Sequence, residues 1–180
     1  AAENALGTSA TGSIRLGVGD APDISGKTLD TAVTVGVDDV SKSYADLSAY
    51  PAPTYTLVNG SELPTGVTLD SETGLLSGTP TERGVFEFTV HASDNGFGSS
   101  TTSTQTLTVG VKPKINDVGF TVKTAPGVAI APRDISDPDA YPAPTYTVFV
   151  DDSLPSGMSL DSNTGILTGA PTEPGVFRFR

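Results

Sequence analysis

One segment of the chain returns unchanged. Tyr50-Pro-Ala-Pro-Thr-Tyr-Thr56 recurs as Tyr141-Pro-Ala-Pro-Thr-Tyr-Thr147, an offset of 91 (141 − 50). Leu63-Pro64-Thr65-Gly66 returns as Leu154-Pro155-Ser156-Gly157 at the same offset. Residues 50–88 match 141–179 at 24 of 39 positions without a gap. Upstream the match thins but holds register, with Pro22-Asp23-Ile24-Ser25 facing Pro113-Lys114-Ile115-Asn116. A fixed period of this kind dictates two copies of one structural unit. A unit of 91 residues can bury a modest core without staples. None are on offer: the chain has no cysteine, which removes disulfides, thiolate metal sites and a cysteine nucleophile.

The offset also reaches the first residues. "AAENALG" at 1–7 falls on "ASDNGFG" at 92–98, and Leu16, Val18 and Gly19 fall on Leu107, Val109 and Gly110. Residues 1–20 therefore read as the tail strands of a repeat. Residues 21–111 read as a complete β-sandwich, and 112–180 as a β-sandwich lacking its last strands. Three accounts fit this arrangement: a window of a longer array, proteolysis that leaves Arg180 at the end, or strand donation. In the third, residues 1–20 complete the second domain of the next subunit, and Leu6, Ile14, Leu16 and Val18 fill its core. Such a contact is head to tail and propagates as an open filament. Self-completion is geometrically hard, because a sandwich of this kind is roughly 35–40 Å long, from about ten residues per strand.

Strand signals are short and have period 2. Thr54–Val58, Gly84–Val90 and Thr104–Val109 all alternate. Pro and Gly punctuate the intervals and exclude long helices. Asp70 and Asp161 are placed to close turns through their side chains, with Gly74 and Gly165 supplying positive φ. Pro80 and Pro171 set the bend before the long strand. The pattern predicts an all-β chain of tandem antiparallel sandwiches, about seven strands per repeat.

The acidic balance narrows the function. Net charge is −11 and the pI about 4.2, with only 10 Lys and Arg. A nucleic-acid binder needs cations for phosphates, so that class is excluded. No apolar run approaches the length of a membrane span.

The string Leu-Pro-x-Gly-x-x-Leu-Asp-x-x-Thr-Gly-x-Leu-x-Gly-x-Pro-Thr-x-x-Gly-x-Phe, present in both copies, resembles the immunoglobulin-like repeats of bacterial and archaeal surface proteins. These are close to dystroglycan-type cadherin-like domains. The resemblance implies seven-stranded sandwiches strung end to end in long extracellular or cell-surface proteins. It also implies calcium between neighbours, held by carboxylates of loops near the junction, which want six to eight oxygens around the ion. On that resemblance Asp137-Pro138-Asp139 is the candidate Asp-x-Asp loop, with Asp134 nearby. Asp94 matches the acidic residue that ends the long strand, and Glu3 takes its place in the N-terminal segment. The first copy has Asp46-Leu47-Ser48 in place of Asp-Pro-Asp, and the linker carries Lys112 and Lys114. The bland alternative is a solvated acidic loop.

Other features carry less. His91 is the only histidine. Alternation places it opposite Phe86, Phe88 and Val90, and no nucleophile stands in a suggestive context, so it reads as a surface residue rather than a base. Asn59-Gly60-Ser61 fits both a glycosylation sequon and a tight turn. The hydroxyl-rich run Ser99–Thr104 fits a loop and the start of an edge strand, or a face that binds sugars or ice. The expected function is a non-enzymatic structural or adhesive module of an extracellular fibre. Its partners would be adjacent repeats or further copies of itself. A glycan-binding module acting through its loops is the alternative.

Overall fold

The computed structural model describes residues 3–4, 7–8, 13–115, 119–149 and 152–180. All of its regular elements are strands. β1 (Glu3–Asn4) and β2 (Gly7–Thr8) form a small antiparallel hairpin.

The first repeat holds β3 (Asp30–Thr34), β4 (Val40–Ser43), β5 (Tyr55–Leu57), β6 (Val67–Leu69), β7 (Leu75–Gly78), β8 (Gly84–Phe88), β9 (Val90–Ala92), β10 (Ser100–Thr101) and β11 (Gln105–Gly110). One layer is β4–β7–β6, all antiparallel. The opposing layer places β11 between β3 and β8, then continues through β9 to β5 and β10. β11 runs antiparallel to β8 but parallel to β3. Only Thr89 separates β8 from β9. The register changes there by one residue, from Gln105↔Phe88 to Thr101↔His91, a bulge on the β10–β11 side. Thr102 closes it: its N–H donates to the Val90 carbonyl at 2.9 Å, and the Val90 N–H donates to Thr102 Oγ1 at 3.0 Å.

Alternation explains the core. Leu107 and Val109 on β11 meet Phe88, Val90, Tyr55, Leu76, Val40 and Ile24 between the layers, all of them buried. Each large apolar side chain so buried contributes about 1.5–3 kcal/mol. Two polar groups share that interior and satisfy each other. Tyr44 Oη donates to Gln105 Oε1 at 3.2 Å, and Gln105 Nε2 donates to the carbonyls of Ser103 (2.8 Å) and Lys27 (3.3 Å). Burial pushes the Tyr44 hydroxyl up to about 12, so it stays a donor.

The second repeat copies one layer. β12 (Arg133–Asp134), β13 (Met158–Leu160) and β14 (Ile166–Gly169) pair in the order β12–β14–β13. Their registers are those of β4, β6 and β7 shifted by 91: Val67↔Gly78 becomes Met158↔Gly169, and Lys42↔Leu76 becomes Arg133↔Leu167. The turn chemistry is copied too. Asp70 Oδ1 accepts from the N–H groups of Glu72 and Thr73, and Asp161 Oδ1 from those of Asn163 and Thr164. The following glycines, Gly74 and Gly165, have φ of 66° and 68°. In the opposing layer, the described residues of this repeat contain no strand matching β3, β5 or β8. In the first repeat β3 and β8 both bond to β11, and β5 bonds to β9; the positions equivalent to β9 and β11 are not among the 180 residues. Traces of the pairing survive. The Phe149 N–H donates to the Arg180 carbonyl at 2.7 Å, matching Val58 to Thr89 at 2.9 Å.

The sequence places the strands well. The expected 54–58 and 104–109 appear as 55–57 and 105–110, and the expected 84–90 is split at the bulge.

Candidate functional site

The residues leading into each repeat meet its loops in a dense set of polar contacts. Two loops create it. Tyr50-Pro51 and Tyr141-Pro142, both with cis peptide bonds, sit at equivalent positions of the two repeats. Each tyrosine pairs antiparallel with the residue leading into its repeat, Asp20 with Tyr50 and Val111 with Tyr141. Asp20 N–H donates to the Tyr50 carbonyl at 3.0 Å, and Tyr50 N–H to the Asp20 carbonyl at 3.2 Å. The second pair measures 2.8 and 3.1 Å.

Three residues further on, a carboxylate receives the incoming chain. Asp46 Oδ2 accepts from Asp23 N–H at 2.8 Å, and Asp137 Oδ2 accepts from Lys114 N–H at 2.7 Å. The other oxygen turns back on its own loop: Asp46 Oδ1 accepts from Ser48 N–H at 3.0 Å and Ser48 Oγ at 2.6 Å, and Asp137 Oδ1 from Asp139 N–H at 3.1 Å. A buried tyrosine hydroxyl supports each loop from behind, accepting from Asp46 N–H (Tyr55, 3.0 Å) and Asp137 N–H (Tyr146, 2.9 Å). At Asp46 these donors favour the ionised form. The Ser48 hydroxyl, then the N–H groups of Asp23 and Ser48, hold Asp46 down at about 2.

Of the candidate calcium ligands, Asp137 is thus a buried acceptor of two backbone N–H groups. Asp134 bonds within its own loop, Oδ1 to Ser136 N–H at 2.8 Å, and the Ser136 hydroxyl lowers its carboxyl below the usual range. Asp139 offers its main chain instead, its carbonyl accepting from Arg83 Nη1 of the first repeat at 2.9 Å. Among the described residues, no three His, Asp or Glu side chains converge as a cation-binding group.

Of the candidate donor-strand residues, Leu6 lies outside the described residues. Ile14, Leu16 and Val18 are 95, 87 and 77% exposed, whereas their equivalents Gln105, Leu107 and Val109 are each 0% exposed. The β1–β2 hairpin pairs Asn4 with Gly7, and the first repeat bonds the equivalent Asn95 N–H to the Gly98 carbonyl.

His91 is half-buried, with Nδ1 3.1 Å from Thr101 Oγ1. Sequence reasoning missed Asn95, whose Nδ2 donates to the Asp20 and Pro51 carbonyls at 2.8 and 2.7 Å. It also missed Arg83, and it set Asp46 against Asp137 without seeing that both accept the N–H of the incoming chain.

A two-layered β-repeat, followed after 91 residues by a second that shares one of its layers and its turns, defines an immunoglobulin-like repeat protein. The family described as "Putative Ig domain" matches residues 17–111 and again 109–180, and the chain belongs to it, as a non-enzymatic module. The chain is 34% identical over 119 residues to the "Serine-rich adhesin for platelets" of Staphylococcus aureus strain MRSA252, covering 63% of this chain and 8% of that protein. The USA300 protein of the same description matches equally, with 5% of its length covered. The chain thus spans less than a tenth of these curated relatives. Among solved structures, the protocadherin GammaB4 extracellular domain aligns over 84% of this chain and 29% of its own, at 18% identity and a TM-score of 0.37. Protocadherin Gamma B2 extracellular cadherin domains 3–6 align over 82% and 42%, at 16% identity and a TM-score of 0.34. Among the described residues, no helix is long and apolar enough to cross a membrane.

Proposed function

We propose that this chain is an adhesive and structural module of an extracellular or cell-surface protein, working as a stretch of end-to-end sandwiches. Tandem membership of the immunoglobulin-like family and likeness to a protein described as an adhesin support this reading. We further infer that a strand of the 14–19 type completes the second repeat, with residues 21–111 forming one complete sandwich and 112–180 an open one. The observation that carries it is the contrast above: the three side chains buried on β11 have exposed equivalents in Ile14, Leu16 and Val18. The acceptor is an apolar cleft in the second repeat lined by Ile115, Phe120, Ile135, Leu160, Leu167 and Phe179. In the 180-residue chain the donor is a second copy, joined head to tail; in a longer chain a following segment takes that role.

Light scattering and negative-stain microscopy on the 180-residue chain, with and without residues 1–20, test the donation. The expected result is filaments from the full chain and none from the shortened one. A monomeric full chain at high concentration refutes donation and leaves the module reading standing. On this reading calcium is dispensable, because Asp137 already has backbone donors on both oxygens.

A further inference from the structure

The chain passes from one repeat to the next without a free residue. Gly110, the last residue of β11, still accepts from Val35 N–H of the first repeat at 2.9 Å. Val111, its neighbour, is already paired in both directions with Tyr141 of the second. Adjacent residues are therefore bound to different repeats. Lys114 is then fixed by Asp137, and Arg83 reaches across to the Asp139 carbonyl. The approach is so close that a Cβ on Gly110 would lie 2.6 Å from the Tyr141 carbonyl oxygen. Gly19 repeats this at the first junction, where a Cβ would lie 2.1 Å from the Tyr50 oxygen and 2.4 Å from the Phe97 ring. There Asn95 adds two more bonds, to the incoming strand and to the Pro51 carbonyl.

We propose that this junction is a stiff joint that works without a metal ion: the end of one repeat's last strand serves as a docked strand on the next, and the loop carboxylate receives backbone N–H groups where a calcium joint would use it as a ligand. The physical basis is the count of independent restraints. Two main-chain bonds and one charge-assisted bond act within the four residues 111–114, and the Arg83 guanidinium adds a fourth restraint from the body of the first repeat. The aspartate geometry is the same in both repeats, although the loops read Asp46-Leu47-Ser48 and Asp137-Pro138-Asp139. A role shared by both sequences is bonding to the incoming N–H. The inference holds whether or not the chain adheres to anything.

The absence of native cysteine permits a direct test. Cysteines at the exposed, equivalent positions Thr68→Cys and Ser159→Cys carry spin labels, and the distance distribution between them is measured by pulsed electron resonance on the full chain. The pair Thr68→Cys and Thr101→Cys, within the first repeat, sets the width of a rigid body. The expected inter-repeat distribution is about as narrow as that reference, and identical in EDTA and in calcium at about 1 mM, the range for extracellular modules. Gly110→Val broadens it by forcing Val111 off Tyr141, and Arg83→Ala, a surface change that leaves both repeats folded, broadens it less. A distribution that narrows only with calcium overturns the proposal, as does a wild-type distribution that is broad in both conditions. If Gly110→Val unfolds the chain, the EDTA comparison and Arg83→Ala still decide the matter.

Discussion

Leu107 and Leu16 stand at equivalent positions 91 residues apart, and the structure gives them opposite surroundings. Leu107→Ala removes a side chain that is wholly buried between the layers of the first repeat. Such truncations cost about 2–5 kcal/mol. For a domain of this size each kcal/mol lowers the melting temperature by about 4–8 °C, so the expected fall is at least about 8 °C and at most about 40 °C. Leu16→Ala in the dilute, unassembled chain removes a side chain that touches almost nothing and changes stability by no more than about 0.5 kcal/mol. If the strand of residues 14–19 docks on another copy, Leu16 becomes buried as Leu107 is. A loss of about 3 kcal/mol then weakens association roughly a hundredfold. Calorimetry on dilute chain reads the first two effects, and sedimentation across a concentration series reads the third. A Leu107→Ala chain that melts within about 3 °C of wild type refutes the placement of the core, since the lower bound of the cost is then unmet. A Leu16→Ala chain that melts as early as Leu107→Ala in dilute solution refutes the exposure of residues 14–18.

Three further outcomes are expected. The Asp46 carboxyl is held at about 2 in the folded chain against about 3.9 unfolded, so its contribution is full above about pH 4 and is lost as pH falls through about 2; urea midpoints measured across that window should fall, and Asp46→Ala should flatten the fall. Gln105→Leu leaves the Tyr44 hydroxyl and the Lys27 and Ser103 carbonyls without their partner and should cost about 1–3 kcal/mol in chemical denaturation. Tyr55→Phe strips the acceptor from Asp46 N–H, and hydrogen exchange at that amide should accelerate while the amides of β7 stay protected; Tyr146→Phe should do the same at Asp137 in the second repeat.

Much of the fold was legible because it rests on local rules. The alternation of Gln105, Leu107 and Val109 announces a half-buried strand, and the Asp-x-x-Thr-Gly turns announce themselves through residue types that have few other uses. The 91-residue offset holds in the register of β12–β14, though not in the layer opposite them. What stayed hidden depends on contacts remote in sequence. Nothing near Thr102 says that its hydroxyl will close a bulge against Val90, and nothing near Gln105 says that its amide will meet Tyr44, 61 residues away. At the junction, Asp137-Pro138-Asp139 showed the residue types of a cation loop. Only the positions of Lys114 N–H and Asp139 N–H show how its first carboxylate is employed. Asn95 was invisible for the same reason, since it bonds to residues 75 and 44 positions upstream.

The parallel pairing of β3 with β11 has a mechanical consequence. Past the docked entry segment of residues 20–24, the chain runs into the sandwich at the foot of β3 and leaves it at the head of β11, and the two strands run side by side from Asp30↔Thr106 to Thr34↔Gly110. Tension applied along the chain pulls these strands in opposite directions along their common axis. The bonds between them are therefore loaded in shear, all at once, and cannot be peeled open one after another as they would be at the end of a hairpin. Val111 lies directly beyond this ladder, already fastened to the next repeat, so the load passes from one bonded patch to the next with no loose chain between them. A string of such repeats would resist extension at the junctions and within the sandwiches alike.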